Sequence, residues 1–207
     1  MTAISRARKP AALGVRCHSG WAATVLLATD DGNSVELVDR SRFELCDPNR
    51  EGSKQPFHHA ETLAFAEAEA FIAQSGRTTA TLSNKAIAAL LEQAVTNKLK
   101  LTGCALLVTA SRELPPLEKV LASHALIHTA EGMFYREAIA IAAERLRVRI
   151  MRVRESEALR QASDRSGKSE AELRAALMEI GKTVGPPWTV DQKLATLAAW
   201  SLLAVRS

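Results

Sequence analysis

The 207-residue chain carries 27 lysines and arginines against 23 acids, a formal charge of +4, with 47% hydrophobic but only 4% aromatic residues. This is enough apolar material for the core of one domain, with more helix than strand, while interspersed charges of both signs leave only a bias toward phosphate-rich partners. Three cysteines, an odd number without CxxC spacing, imply neither a disulfide framework nor a zinc knuckle; no apolar run nears the ~20 residues that span a bilayer, and the basic start lacks the apolar stretch of a signal peptide. A cytoplasmic protein with no membrane partner is expected.

Residues 1–12 read as a disordered basic tail and residues 13–207 as one α/β domain with a helical final third. "GVRCHSGWAATVLLATDDGNSVELVDRSRFELC" is rich in Val, Leu and Thr and broken at "TDDGN", which predicts an antiparallel hairpin with a third strand from Arg42 to Cys46. The loop "DPNREGSKQP" follows. Helices are predicted over residues 58–74, closed by Gly76, and over 83–98, where Ile87, Leu90, Leu91, Ala94 and Val95 form one stripe.

"GCALLVTAS" suits a strand buried on both faces, and a long helix opens after Pro115 and Pro116, either continuous to Leu146 or broken at Gly132. "VRIMRV" alternates apolar and basic residues, as a strand with one wet face does. Capping boxes at Ser169 with Glu172 and at Thr189 with Gln192 start the last two helices, with "GKTVGPPW" as a loop between them. This order gives a mixed sheet of about five strands flanked by helices.

The chemistry concentrates in "SHALIHTAEG". On one continuous helix Leu117, Leu121, His124, His128, Glu131, Tyr135, Ala138 and Ala142 share a face, so an apolar stripe turns polar in its middle. Buried imidazoles and carboxylates without partners cost on the order of 1–3 kcal/mol each, so these groups must meet one another, water, an ion or a ligand. Histidines four apart can chelate one divalent metal ion. Ala125 stands where the HExxH metalloprotease pattern needs glutamate. Arg136, one turn on, is a candidate substrate contact.

"PFHHAETL" offers His59 as a base or ligand for the same cleft, against a plain helix-start reading of this segment. His18 and Ser19 are candidate substrate contacts; no GxSxG elbow supports a serine nucleophile. Asp191 lies in the first turn of the last helix, where capping and the helix dipole already favour an acid. "GKT" at Gly181–Thr183 lacks the upstream glycine of a phosphate loop, which excludes that ATPase motif.

The element order and "VDQKLATLAAWSLL" resemble the ribonuclease H-like superfamily, in particular its Holliday-junction resolvase branch. The resemblance implies that Asp191 matches the acid on that family's last helix and that Glu131 stands in for one from mid-domain. It breaks in the first strand, where the family carries an aspartate that bridges two metal ions and "GVRCHSGW" has Arg16, Cys17 and His18. Two functions stay open. One is a phosphodiester or phosphate-ester hydrolase with His59, His128, Glu131 and Asp191 as catalytic groups, His18, Ser19, His124 and Arg136 as substrate contacts, and one divalent metal ion as its cofactor. The other is a noncatalytic domain that binds nucleic acid or a protein, its arginine-rich strand ("RLRVRIMRVR") facing the partner. The oligomeric state is not read from the sequence.

Overall fold

The computed structural model describes residues 8–30, 34–109 and 113–204. β1 (Lys9–His18) is central, and its alternation divides the molecule. Ala11, Leu13, Val15 and Cys17 enter one core and Ala12 the other, so Arg16 and His18 project on the Ala12 side. β2 (Trp21–Thr29) and β3 (Val35–Glu44) follow antiparallel, and β4 (Leu99–Val108) and β5 (Ile150–Arg154) add parallel strands in the order β3-β2-β1-β4-β5.

The expected mixed five-strand sheet opening on a hairpin is present, with its boundaries moved: Arg42–Glu44, expected to begin a third strand ending at Cys46, close a β3 that starts at Val35. The first hairpin turns at Ser19–Gly20, where Gly20 takes a φ of 84° that a bare glycine adopts without strain. Strand β1 also starts at Lys9, inside the stretch expected to be tail, because Ala11 and Ala12 are fully buried and Lys9 reaches Asp30 at 2.6 Å. Residues 1–7 and most of the turn "TDDGN" lie outside the described residues.

On the Leu13 side lie α2 (Phe65–Thr96) and α4 (His124–Arg145); on the Ala12 side lie α5 (Ala158–Ser166), α6 (Glu170–Val184) and α7 (Val190–Leu203). The short helices α1 (Pro56–Ala60) and α3 (Leu117–Leu121) join α4 around a satellite core of Phe57, Val120, Ile127 and Ala130. Helix α2 runs unbroken through Gly76, correcting the expected pair of helices. Its inward stripe in the middle is Ser75, Thr79 and Ser83, small polar residues that an apolar periodicity does not register.

Conversely, the long helix after Pro116 divides at Ala122–Ser123 rather than at Gly132, so Leu117 and Leu121 do not share a helix with His128. Helix α6 absorbs Gly181–Thr183, shortening the expected loop, and α5 is an additional helix. Both capping boxes form: the Ser169 N–H donates to Glu172 Oε2 at 2.8 Å and the Thr189 N–H to Gln192 Oε1 at 3.0 Å. No described helix is long and apolar enough to cross a membrane.

Helix α7 crosses β1 at Gly14, where any Cβ would collide with the carbonyl oxygen of Ala195. Gly14→Ala must push the helix off the sheet, and should cost about 3 kcal/mol, lowering Tm by roughly 6–12 °C; a thermal melt checks this. Burial pushes the Cys17 and Cys104 thiols up to about 12. The folded thiols therefore keep their protons above pH 9 while unfolded ones lose them, so stability should fall as pH rises from about 9 toward 12. Alkylation of both should require unfolding, read by mass spectrometry after a native pulse with iodoacetamide.

Candidate functional site

The ionisable groups singled out in the sequence gather in two places on opposite sides of the sheet. The first lies at the carboxyl ends of β1 and β5, on the α7 side. The Arg16 guanidinium spans two acids: Nη1 donates to Asp191 Oδ1 and Nη2 donates to Glu155 Oε2 at 2.8 Å. These three side chains are only 20–23% exposed, and His18 Nε2 lies 3.0 Å from the same Asp191 oxygen. The Thr189 cap starts α7 so that Asp191 falls in its first turn, where the helix dipole also favours a carboxylate. The hydrogen bond to Glu155, with the charges of both acids, raises Arg16 above the ordinary guanidinium value against the opposing effect of burial.

Outward from this triad the same face carries a stacked row. His18 stacks on Trp21 with ring centroids 4.3 Å apart and planes 11° from parallel, and the Arg42 guanidinium lies 3.9 Å from the Trp21 ring centroid. Strand order puts β1 and β3 on either side of β2, so Trp21 is flanked by both partners. Arg42 is 56% exposed and its Nε donates to the Glu44 carboxylate at 2.9 Å, an exposed ion pair at the end of β3. Arg40, further along β3, instead fastens the end of α6, donating to the carbonyls of Val184 (2.8 Å) and Gly185 (3.0 Å) and to that of Pro187.

The second cluster lies on the α4 side. Glu131 is buried under α1, where Oε1 accepts the backbone N–H groups of Phe57 (2.7 Å) and His58 (3.1 Å) and lies 3.3 Å from His58 Nδ1. This carboxylate supplies the cap that the first turn of α1 does not provide for itself. Burial raises Glu131 from the ordinary carboxylate range, and the hydrogen bonds from His58 and Phe57 oppose it. His124 and His128, one turn apart on α4, are exposed, with their Nε2 atoms 3.0 Å apart, and the His58 ring meets both edge-on at 5.7 and 4.8 Å. The inward stripe of α4 is thus Ile127, Glu131, Tyr135 and Ile139, while the histidines flank it at the surface.

The four residues grouped in the sequence as catalytic therefore do not meet. Glu131 and His128 share the α4 side, Asp191 is across the sheet, and His59 packs on Gly52 and against Phe71 with centroids 4.5 Å apart. Ser19 is exposed in the β1–β2 turn. Arg136 donates to Thr109 Oγ1 at 3.0 Å just past β4; burial holds its guanidinium below the ordinary value, partly offset by the charges of Glu155 and Glu137. Glu155 and Trp21 escaped the sequence reading, and His58 was passed over for His59. The signal for Glu155 was its place directly after a parallel strand, at the edge where such sheets collect charged groups.

No protein-family model and no curated protein matches the chain. Among solved structures, the chain is similar to Thermus thermophilus RuvC in complex with a Holliday junction substrate, with a TM-score of 0.50 and 10% identity over 92% of this chain and 90% of that one. The fold is ribonuclease H-like. A second structure of Thermus thermophilus RuvC aligns with a TM-score of 0.49 at 10% identity, over 92% of each chain. In this ribonuclease H-like sheet the described part of the central strand, KPAALGVRCH, holds no acid, and its last residues are Arg16, Cys17 and His18. Both nearby carboxylates already face the Arg16 guanidinium, so a divalent cation would have to displace that positive charge or sit beside it. The residues present do not fit a two-metal site.

Asp191→Asn should leave the half-buried Arg16 with a single charged partner. The expected cost is about 2 kcal/mol, between the values for exposed and buried pairs, or a Tm drop of roughly 4–8 °C. A loss under about 0.5 kcal/mol, the size of an exposed pair, would show that the triad is not holding α7 to β1.

Proposed function

We propose that this chain is a noncatalytic nucleic-acid-binding domain on a ribonuclease H-like scaffold, in which an internal guanidinium has replaced catalytic cations. The observation that carries the proposal is Arg16 spanning Asp191 and Glu155. Two-metal phosphodiester cleavage needs free carboxylates converging on the ions; these two are neutralised by the chain itself. A hydrolase using His59, His128, Glu131 and Asp191 together would need them in one cleft. Their separation across the sheet favours the binding reading over that one.

Branched DNA is the ligand class suggested by the fold similarity, since the similar solved structure holds a Holliday junction. The row of Arg42, Trp21 and His18 supports this reading: a base can stack on Trp21 if the Arg42 guanidinium swings off the ring face it covers and turns to a phosphate. Arg152 and Arg154 on the edge strand β5 are exposed and paired with Glu137 and Glu157, surface ion pairs that phosphates can compete for.

With about four phosphate contacts, affinity for a four-way junction or for single-stranded DNA should fall about 100-fold between 50 and 200 mM salt. Trp21→Ala should weaken binding about tenfold by removing one stacked base. Fluorescence anisotropy measures both, and gel analysis with Mg²⁺ or Mn²⁺ should show the DNA uncut. Metal-dependent cutting that disappears in Asp191→Asn would overturn the noncatalytic reading; no binding at low salt would remove nucleic acid as the partner.

A further inference from the structure

We propose that His58, His124 and His128 form a binding site for a transition-metal ion of the Zn²⁺ class, with Glu131 as the buried carboxylate that orients His58. Each histidine offers a ring nitrogen, and these atoms lie within 4.8 Å of one another. Tetrahedral ligation at about 2.0–2.1 Å sets neighbouring donor nitrogens roughly 3.3 Å apart. The 3.0 Å between His124 and His128 Nε2 is already near that spacing, and only the His58 ring must close in.

The surroundings have the form that imidazole ligation requires. Glu131 Oε1 lies 3.3 Å from His58 Nδ1; in the proposed site Nδ1 donates to this carboxylate and Nε2 ligates the ion. Glu131 is itself held, because the same oxygen accepts two backbone N–H groups of α1. Its carboxylate is 5% exposed, and Oε2 is buried without a hydrogen-bond partner. A nearby cation would compensate that buried negative charge.

Three imidazoles select borderline cations such as Zn²⁺, Co²⁺ and Ni²⁺ over Mg²⁺ or Ca²⁺, which prefer oxygen ligands. His124 and His128 face solvent, so the fourth position of the ion would be open to water. An ion here would tie the five-residue helix α1 to the first turn of α4. The site lies across the sheet from Arg16 and does not depend on the nucleic-acid reading.

The test uses the full chain, stripped with a chelator and titrated with Zn²⁺ by calorimetry and with Co²⁺ by its visible absorption. One equivalent should bind, and a hundredfold excess of Zn²⁺ over Kd should raise Tm by about 5–10 °C. His124→Ala and His128→Ala, both at exposed positions, should each weaken binding at least about 100-fold, and Glu131→Gln about 10- to 100-fold. His59→Ala should leave the affinity unchanged. No uptake of either metal at 1:1, or uptake that persists in the His124→Ala, His128→Ala double variant, would overturn the proposal.

Discussion

A single guanidinium holds the two halves of one sheet face together. Arg16 sits near the end of the central strand and binds one carboxylate from the last helix and one from the turn after the last strand. Its position follows from the parity of β1, which sends Cys17 into the α4 core and Arg16 toward α7. That helix can lie close enough for the ion pair because Gly14, one step earlier on the same face, has no side chain to hold it off. The charge that excludes a pair of metal ions from this edge is therefore also a structural clamp. Without the guanidinium, Asp191 and Glu155 would face each other as like charges; with it the pair is neutralised within the chain.

The other side of the sheet solves a different problem. Helix α1 is too short to be stable alone, and its first backbone donors are capped from outside by Glu131. Burying that carboxylate requires compensation, and three imidazoles lie at its mouth. The same residues thus anchor a loop segment and form a concentration of donor nitrogens that no other group of described residues matches. The two clusters share no residues and are separated by the sheet, so each can be lost without dismantling the other.

The scaffold was legible where local chemistry is specific. Both capping boxes, the buried run of β4 and the resolvase-like order of elements could be read directly, since each depends on residues adjacent in sequence. The bounds of α2 were not, because its inward stripe changes from Ser75, Thr79 and Ser83 to Ile87 and Leu90 along one helix. Among the site residues, the polar break at Glu131 was recognised as inward-facing and is so. The histidines beside it were assigned to the same stripe through Leu117 and Leu121, and the helix break at Ser123 removes that alignment. Convergence of His59, His128, Glu131 and Asp191 was a guess about sides of a sheet, which periodicity within single elements does not encode. The pairing of Arg16 with Glu155 joins residues 139 positions apart and follows from the parallel placement of β1, β4 and β5.

The central claim, that an arginine occupies the place of catalytic cations, is tested most directly by titrating Mn²⁺ into the wild-type chain and into Arg16→Ser, with electron paramagnetic resonance reporting the bound ion. The wild type should take up no Mn²⁺ at Asp191 and Glu155, and Arg16→Ser, with both carboxylates released, should gain a site that Asp191→Asn then removes. Mn²⁺ bound by the wild type and lost on Asp191→Asn would contradict the account.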